Sequence, residues 1–254
     1  MSGRLAVVGL GPGDERYLTR EAHDALQTAD ALYGYGPYLD RVPARQGQAR
    51  HASDNREEGA RAEAALRHAA AGGCAAIVSG GDPGVFAMAA SVCEAIESGP
   101  QAWRSLDIAI VPGITAMLAV AARAGAPLGH DFCALSLSDN LKPWDVIERR
   151  LDAAASAGFV IALYNPVSRA RPWQLGKALA LLARRLGADT PVIFGRAVGR
   201  PDENLIVTTL ADSGGVPADM ASLIIIGSNE TRVIARPGLR PLVYTPRAVE
   251  GVSA

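Results

Sequence analysis

Residues 5–13, LAVVGLGPG, decide the fold of this chain. The apolar run at residues 5–8 is too short for a helix and ends in glycines, which is typical of a strand covered on both faces of a parallel sheet. After the glycines, Thr19 can cap a helix. The apolar residues of that helix fall on one face, at Ala22, Ala25, Leu26 and Ala29. The sequence therefore begins with a β-loop-α unit.

Two further stretches repeat this strand-loop-helix pattern. The loop SGGDPG at residues 79–84 follows an apolar run, and so does the loop VPGITA at residues 111–116. Strands and helices around them are predicted at residues 75–78, 85–96, 108–111 and 115–124. Because the carboxyl ends of neighbouring parallel strands share one edge of an open α/β sheet, we expect the three loops to gather there and bind a ligand.

The second half of the chain predicts a separate α/β unit. Residues 124–130, AGAPLGH, contain two glycines and a proline, which are typical of a crossing between domains. A chain of 254 residues with 49% hydrophobic content can bury two modest cores. We therefore predict an N-terminal α/β domain with the glycine-rich loops at residues 1–125 and a C-terminal α/β domain at residues 126–254.

Strands and helices alternate early in the second domain, whereas strands follow one another closely later on. Strands are predicted at residues 134–137, 159–164, 192–194, 205–208 and 223–226, and helices at residues 143–155 and 173–186. Closely spaced strands indicate antiparallel pairing. We expect a mainly parallel sheet in the first domain and a mixed sheet in the second.

Two segments depart from this alternation. Residues 33–38, YGYGPY, combine turn formers with aromatic rings, which favours a loop that lines a ligand cleft. Residues 237–254 contain prolines and little periodicity, which predicts a loosely held tail.

Charge and hydropathy restrict the partners and the compartment. The net charge of -1 gives no reason to expect binding to nucleic acid or to a membrane surface. Arginine supplies 23 of the 25 basic residues, which fits a polyanionic ligand, although a codon bias would give the same count. The start lacks a leader pattern, and the longest apolar tract, residues 108–128, is broken by Pro112, Gly113 and Arg123. We expect a cytoplasmic protein.

The cysteines predict neither disulfides nor a metal site. Cys74, Cys93 and Cys133 are odd in number, widely spaced and set among Ala, Val and Phe. This pattern predicts buried thiols in a reducing compartment, and no CxxC pair indicates a bound metal.

The first loop is compatible with two kinds of cofactor. A G-x-G-x-G run after a strand is typical of sites where backbone amides hold the pyrophosphate of a nicotinamide dinucleotide. Against this, Pro12 lacks an amide donor, Asp14 replaces the last glycine of the fingerprint, and no acidic residue ends a second strand about twenty residues on. A cationic nucleoside without phosphates, such as S-adenosylmethionine, fits carbonyls and carboxylates better.

The three loops in this order resemble the class III, tetrapyrrole-type S-adenosylmethionine methyltransferases, which carry G-x-G-P-G-D, G-D-P and P-G-x-[ST] loops. The resemblance extends from residue 5 to about residue 231. Within the family, the chain is similar to the enzymes that act on carbon 17 of precorrin-3B. The segments that carry this similarity are GYGPY at 34–38, SGGDPGVFAM at 79–88, HDF at 130–132, SLSDNLKPW at 136–144 and LYNP at 163–166, with Ser168 and Arg169.

The resemblance implies two α/β domains with S-adenosylmethionine in the cleft between them, in a homodimer. It implies methyl transfer to carbon 17 of precorrin-3B with contraction of the macrocycle to precorrin-4, in cobalamin (vitamin B12) biosynthesis. The positions that it assigns to the methyl donor are Pro12, Gly80, Gly81, Asp82, Val85, Phe86, Thr115, Ala116, Asn165, Ala197, Val198 and Ser222.

Ring contraction requires proton movement, and three residues are candidates for catalytic proton transfer. His130 is a candidate because imidazole is a common proton carrier in enzymes, and it lies beside Asp131 in sequence. Asp14 and Glu203 are further candidates. The structural alternatives are a hydrogen-bonding histidine, a solvated glutamate and, for Asp14 and Asp82, a cap on the free amides of a helix start.

A tetrapyrrole with acetate and propionate groups needs cationic hosts. The candidates for substrate binding are four arginines on loops of the second domain, Arg169, Arg171, Arg196 and Arg200. Aromatic rings that could pack on the macrocycle are Tyr35, Tyr38, Trp144 and Trp173, although buried structural aromatics are the usual case.

Several other functions stay open on the sequence alone. The nearest is the same reaction on the cobalt-containing intermediate of the oxygen-independent route. Methyltransferases that act on uroporphyrinogen, RNA or protein share the loops but not the segment at residues 136–144. A nicotinamide dehydrogenase would bind NAD tightly, and a non-catalytic tetrapyrrole-binding protein would bind tetrapyrrole without methyl turnover.

Overall fold

The structure is a computed structural model that describes residues 3–168 and 170–248. The chain forms two compact units, Met1–Thr115 and Ala116–Ala254. The helix Ala116–Ala124 packs on strands of the second unit. The domain boundary after residue 125 stays a prediction.

The first unit is built on a parallel sheet. Its strands are β1 (Arg4–Gly9), β2 (Ala31–Tyr35), β3 (Ala49–Ser53), β4 (Cys74–Ser79) and β5 (Asp107–Val111). Its helices are α1 (Arg20–Thr28), α2 (Gly36–Leu39), α3 (Glu58–Ala70) and α4 (Met88–Ser98). The strand order is β3-β2-β4-β1-β5, and every pair is parallel, which confirms the predicted sheet.

The register aligns the strand ends that precede the glycine-rich loops. Gly9, the last residue of β1, lies opposite Ser79, the last residue of β4. On the other side of β1, Val8 lies opposite Val111, where β5 ends. Because these strands are parallel neighbours, all three loops leave the same edge of the sheet. The prediction that they gather there is confirmed.

Strand β1 is covered on both faces, as its apolar run predicts. Leu5 and Val7 pack in a cluster with α3 and α4, while Ala6 and Val8 pack in a cluster with α1 and α2. Thr19 caps α1, and its hydroxyl accepts a hydrogen bond from the Ala22 N–H at 3.1 Å. The sheet thus holds the loop edge between two packed helical layers.

The second unit contains a mixed sheet and a small accessory sheet. Its strands are β6 (Gly125–Ala126), β7 (Phe132–Ser136), β8 (Val160–Tyr164), β9 (Pro191–Arg196), β10 (Asn204–Thr209), β11 (Ser222–Ile226), β12 (Arg232–Ile234) and β13 (Leu242–Tyr244). Its helices are α5 (Ala116–Ala124), α6 (Trp144–Ser156) and α7 (Gln174–Ala183). The main sheet has the order β10-β9-β11-β8-β7, in which only β7 and β8 are parallel, so the predicted mixed sheet is confirmed.

The core of the second unit lies between the main sheet and two helices. Apolar residues of α6 and α7 pack with residues of β8, β9 and β11 in one buried cluster. Helix α5 packs on β9, β10 and β11. There the backbone of Gly195 approaches Val120 so closely that a Cβ would lie 2.3 Å from its Cγ2. Glycine is therefore required where α5 meets the sheet.

Two segment predictions are wrong. Residues 33–38 are not a loop, because residues 33–35 complete β2 and α2 begins at Gly36 with Pro37 in its first turn. Residues 237–254 are not wholly a loose tail, because β13 is the middle strand of the β12-β13-β6 sheet and buries Val243. Residues 249–254 lie outside the described residues.

The prediction of three buried thiols is also wrong. Cys93 is exposed on α4, while Cys74 and Cys133 are half-buried. Burial raises the pKa of the Cys133 thiol.

Across the ranges 3–168 and 170–248, none of the helices has the length and hydropathy that a membrane span requires.

Candidate functional site

The three glycine-rich loops of the first unit pack main chain against main chain. We define the first loop as residues 9–14, the second as residues 79–86 and the third as residues 112–115. The Gly11 N–H donates to the Gly81 carbonyl at 3.1 Å, and the Gly81 N–H donates to the Gly11 carbonyl at 2.9 Å. A Cβ on Gly113 would lie 2.3 Å from the Gly81 oxygen, and a Cβ on Gly9 would lie 2.7 Å from the Gly113 nitrogen. Side chains at these positions are excluded by backbone.

The carboxylate of Asp82 joins the second loop to the third. Its Oδ1 accepts a hydrogen bond from the Gly84 N–H at 2.8 Å, and its Oδ2 accepts one from the Gly113 N–H at 3.0 Å. Hydrogen bonds to an ionised acceptor are stronger than neutral ones. The negative charge therefore stabilises the loop arrangement directly.

Several backbone amides of the three loops already donate hydrogen bonds to other groups of the first unit. The Leu10 N–H donates to the Ser79 carbonyl at 2.9 Å, Pro12 has no N–H, and the amides of Gly11, Gly81, Gly84 and Gly113 have partners in the loops. A pyrophosphate at a glycine-rich loop needs free amide donors. These five amides are therefore not available to a pyrophosphate, which favours a ligand without phosphates.

Within residues 3–168 and 170–248, three residues other than glycine have a positive φ: 52° at Phe86, 52° at Asn165 and 49° at Ala197. This conformation is costly for L-residues, and such outliers concentrate at ligand sites. All three belong to the positions that the family resemblance assigns to the methyl donor. Phe86 lies in the second loop and is 52% exposed.

The aromatic pair that we predicted to bind substrate lies beside the second loop. Tyr35 and Tyr38 pack edge to face with their ring centroids 5.5 Å apart. A Cβ on Gly80 would lie 2.7 Å from Cζ of Tyr38, so this ring lies directly against the loop backbone. Among the other assigned positions of the first unit, Pro12 and Thr115 are buried and Val85 is half-buried.

Asp14 is engaged in local contacts. It caps the short 3-10 helix Glu15–Tyr17, where its Oδ1 accepts a hydrogen bond from the Arg16 N–H at 2.9 Å. The Arg16 Nε lies 3.6 Å from the same oxygen. This is the capping alternative that the sequence offered, and a catalytic role for Asp14 stays a prediction.

In the second unit, Asn165 is oriented by the end of the neighbouring strand. Its Nδ2 donates to the Ser136 Oγ at 2.9 Å, and the Ser138 N–H donates to the same hydroxyl at 3.3 Å. Asn165 follows β8 and Ser136 ends β7, so these parallel neighbours bring the two residues together. The start of the segment at residues 136–144 is thus tied to Asn165.

The loop after β9 is held by Glu203. Its Oε2 accepts a hydrogen bond from the Gly199 N–H at 2.8 Å, and its Oε1 accepts one from the Arg123 Nε on α5 at 2.8 Å. Burial opposes ionisation, but these hydrogen bonds outweigh it and lower the pKa of Glu203. A carboxylate held in its ionised form fits a structural role in positioning Ala197 and Val198, and its catalytic role stays a prediction.

Arg196 and Ser222 share one acidic partner. The Arg196 Nε lies 2.8 Å from the Asp219 Oδ2, and its Nη1 lies 2.9 Å from the Asp202 Oδ2. The Ser222 Oγ donates to the Asp219 Oδ1 at 2.9 Å. Burial opposes ionisation of Asp219, yet the hydrogen bonds from Ser222 and Arg196 lower its pKa. Two carboxylates therefore compete with any substrate anion for Arg196.

The remaining arginine candidates differ in their surroundings. Arg171 lies 2.9 Å from the Asp139 Oδ1 and also donates to Asn140, so its charge is paired within the segment at residues 136–144. Arg200 is exposed. Arg169 lies outside the described residues, and its role stays a prediction.

His130 and the tryptophans occupy other parts of the second unit. His130 is half-buried, and its Nδ1 lies 3.9 Å from the Asp131 Oδ2, beyond hydrogen-bond distance. Trp144 and Trp173 pack edge to face at 4.8 Å between centroids.

In the part of the chain that the structure describes, no group of three or more His, Cys, Asp or Glu side chains could hold a metal ion.

Comparison with known proteins gives a consistent result. Residues 4–213 match the family model of the tetrapyrrole (corrin/porphyrin) methylases. The chain is 62% identical over 253 residues to a precorrin-3B C(17)-methyltransferase of Sinorhizobium sp, with 100% of both chains covered. It is 47% identical over 251 residues to the cobalamin biosynthesis protein CobIJ of Mycobacterium tuberculosis, covering 97% of this chain but 48% of that protein, so it spans about half of its length. The crystal structure of the methyltransferase CobJ matches with a TM-score of 0.91 at 46% identity, covering 96% of this chain and 100% of the other.

Proposed function

The chain belongs to the tetrapyrrole (corrin/porphyrin) methylases, and within this family we propose that it methylates carbon 17 of precorrin-3B. The methyl donor is S-adenosylmethionine. The product is the ring-contracted precorrin-4, and the reaction belongs to cobalamin biosynthesis.

The observation that carries this proposal is the 62% identity to a precorrin-3B C(17)-methyltransferase along the entire chain. The match spans the whole chain and so covers the segment at residues 136–144, which distinguishes this reaction from other methylations. The geometry of the first unit supports the donor, because its loops offer backbone carbonyls and a carboxylate, while five of their amides already donate to other groups.

The residues present fit a cationic donor. When bound, S-adenosylmethionine supplies a methyl group on a positively charged sulfur, which requires an aligned carbon nucleophile more than a strong base. The glycines of the three loops let backbone approach a ligand closely, and the Asp82 carboxylate favours positive charge nearby. We propose that the donor contacts the backbone near Pro12, Gly80, Gly81, Asp82, Val85, Phe86, Thr115, Ala116, Asn165, Ala197, Val198 and Ser222.

We propose His130 as the group that moves a proton during ring contraction, because an imidazole titrates near neutral pH. His130→Ala should lower the rate of contraction about a hundredfold and leave the affinity for S-adenosylhomocysteine unchanged. Single-turnover kinetics and calorimetry measure the two quantities. Full activity of the variant would return His130 to a structural role.

The substrate side is proposed to involve Tyr35, Tyr38, Arg169, Arg196 and Arg200. Arg196 would have to exchange one of its two carboxylate partners for a substrate carboxylate. We also propose that the enzyme acts as a homodimer in the cytoplasm and binds neither nucleic acid nor membranes. Light scattering of the purified protein measures the oligomeric state, and a monomer that turns over substrate would contradict the dimer.

The reaction is tested by incubating the purified protein with precorrin-3B and isotope-labelled S-adenosylmethionine. The expected product carries one labelled methyl group and a contracted ring, identified by mass and fragmentation in a mass spectrometer. The same incubation with the cobalt-containing intermediate is the matched control.

Other results of these incubations and of binding measurements would each indicate a different function. Turnover of the cobalt-containing substrate alone would move the enzyme to the oxygen-independent route. Tight tetrapyrrole binding without methyl transfer would indicate a non-catalytic binding protein. Binding of NAD with no affinity for S-adenosylhomocysteine would remove the methyltransferase proposal altogether.

A further inference from the structure

We propose that Arg41 is a positioning residue that fixes the backbone of the first loop for the methyl donor, an inference that rests on the proposed function. Its Nη2 lies 2.7 Å from the carbonyl oxygen of Leu10, 2.9 Å from that of Gly11 and 3.0 Å from that of Gly13. One guanidinium nitrogen thus binds three carbonyls of a single turn.

The first loop needs such a partner because its own sequence does not determine its shape. Gly11 adopts a φ of 66°, and glycine visits many other conformations in a flexible chain. Fixing each residue of the loop costs conformational entropy. Charge-assisted hydrogen bonds from Arg41 offset this cost before a ligand arrives, so the donor meets an ordered loop.

Arg41 also belongs to a segment that contacts the second loop. It follows α2 closely, and its own N–H donates to the Tyr38 carbonyl at 3.2 Å. The ring of Tyr38 lies against Gly80. Residues 36–41 therefore hold the first loop through a side-chain cation and the second loop through an aromatic ring.

The test compares Arg41→Gln with Arg45→Gln. Arg45 is the matched control, because its Nη2 also donates to a backbone carbonyl of the first unit, that of Ala29. Ala29 precedes β2 and so lies at the opposite edge of the sheet from the loops. Titration calorimetry with S-adenosylhomocysteine and thermal melting are measured for the wild-type protein and both variants.

We expect Arg41→Gln to weaken S-adenosylhomocysteine binding about ten- to hundredfold, whereas Arg45→Gln binds it like the wild type. The KM for S-adenosylmethionine should rise by a similar factor, with kcat much less affected, because the change removes binding that is uniform along the reaction. Arg41→Lys, which keeps one charged donor, should recover part of the affinity.

Two results would overturn the inference separately from the proposed function. If the wild-type protein binds S-adenosylhomocysteine and a folded Arg41→Gln variant binds it equally well, Arg41 does not position the loop. If Arg41→Gln does not fold, wild-type affinity in a folded Arg41→Met variant, which keeps an unbranched apolar stem and has no donor, has the same meaning. No binding by the wild-type protein would instead remove the proposed donor, and the role of Arg41 with it.

Discussion

In the first unit, glycine backbones pack on one another and the charged side chains of Asp82 and Arg41 bind main-chain groups of the loops, whereas in the second unit the loops are held by ion pairs between side chains. In the first unit, Gly9, Gly81 and Gly113 touch backbone to backbone. In the second unit, Glu203 and Asp219 accept hydrogen bonds from arginines that reach across from other segments. Loop shape therefore depends mainly on close backbone packing in the first unit and on pairs of opposite charges in the second.

The difference determines how each region responds to change. Backbone packed on backbone does not titrate, and it has no room for a methyl group. A site with an ion pair can accept a substituted side chain of similar shape. The strength of the pair, however, depends on the ionisation of both groups and on the salt concentration. Three substitutions, given in order of decreasing expected effect, therefore test this difference between the two units.

The largest effect is expected from Gly113→Ala. The new Cβ would lie 2.3 Å from the Gly81 carbonyl oxygen and 2.9 Å from the backbone of Gly9, so one of the three loops has to move. Overpacking of this kind costs about 3 kcal/mol. If the cost is met by displacing the loops from their binding conformation, the affinity for S-adenosylhomocysteine falls about a hundredfold. Titration calorimetry measures the loss.

Gly59→Ala is the matched control for this substitution. Gly59 lies in α3, and a Cβ there has no heavy atom within 4 Å. The change should leave binding intact and raise the free energy of unfolding by about 0.5–1 kcal/mol, because alanine favours helix over glycine. Equal binding by both alanine variants would show that the loops do not depend on backbone contact.

A smaller effect is expected from Asp82→Asn, which keeps the shape of the side chain and removes its charge. One of the two acceptor oxygens becomes an amide group that faces a backbone N–H of Gly84 or Gly113. Loss of one charge-assisted hydrogen bond corresponds to about tenfold weaker binding of S-adenosylhomocysteine. Wild-type affinity at neutral pH would mean that the carboxylate does not hold the second and third loops together.

The smallest effect is expected from Glu203→Gln, and it should depend on pH. Glu203 has a lowered pKa in the folded protein, so its ion pair stabilises the fold above its unfolded pKa and this stability is lost as pH falls through the folded value. At neutral pH the variant should be less stable by about 1 kcal/mol, because the pair is partly exposed. The difference between variant and wild type should narrow below about pH 4.

Denaturant unfolding at several pH values measures this difference, with exposed Glu94→Gln as the control. A constant difference across the acidic range would contradict the ion-pair explanation. The turnover number provides a second criterion. If Glu203 carried protons in the reaction, kcat of the variant would fall by about a hundredfold or more, whereas a structural role leaves kcat nearly unchanged.

Short patterns of apolar and capping residues predicted much of the fold, because they indicate directly which residues are buried and where a helix begins. The apolar run of β1 and the cap at Thr19 needed no tertiary information. Helix α3 was missed even though Ala62, Leu66 and Ala69 recur at helical spacing. Strand β3, ARHAS, carries no apolar alternation because it is an edge strand with exposed residues, so no local signal identifies it.

The roles of charged residues were the least predictable part of the site. Glu203 lies 80 positions from its partner Arg123, and Arg41 lies about 30 positions from the carbonyls that it binds. Nothing in the local sequence of any of these residues indicates its partner. Hydrogen bonds over such separations form only after the intervening elements have packed.

The sequence by itself determined the alternation of strands and helices, the three glycine-rich loops and the edge at which they meet, because each depends on residues that are close in the chain. The tertiary structure was needed to show that these loops touch through their backbones, that Asp82 and Arg41 bind them, and that Glu203 binds the separate loop after β9. These contacts join residues from separate elements, and their geometry depends on distances that no local pattern contains.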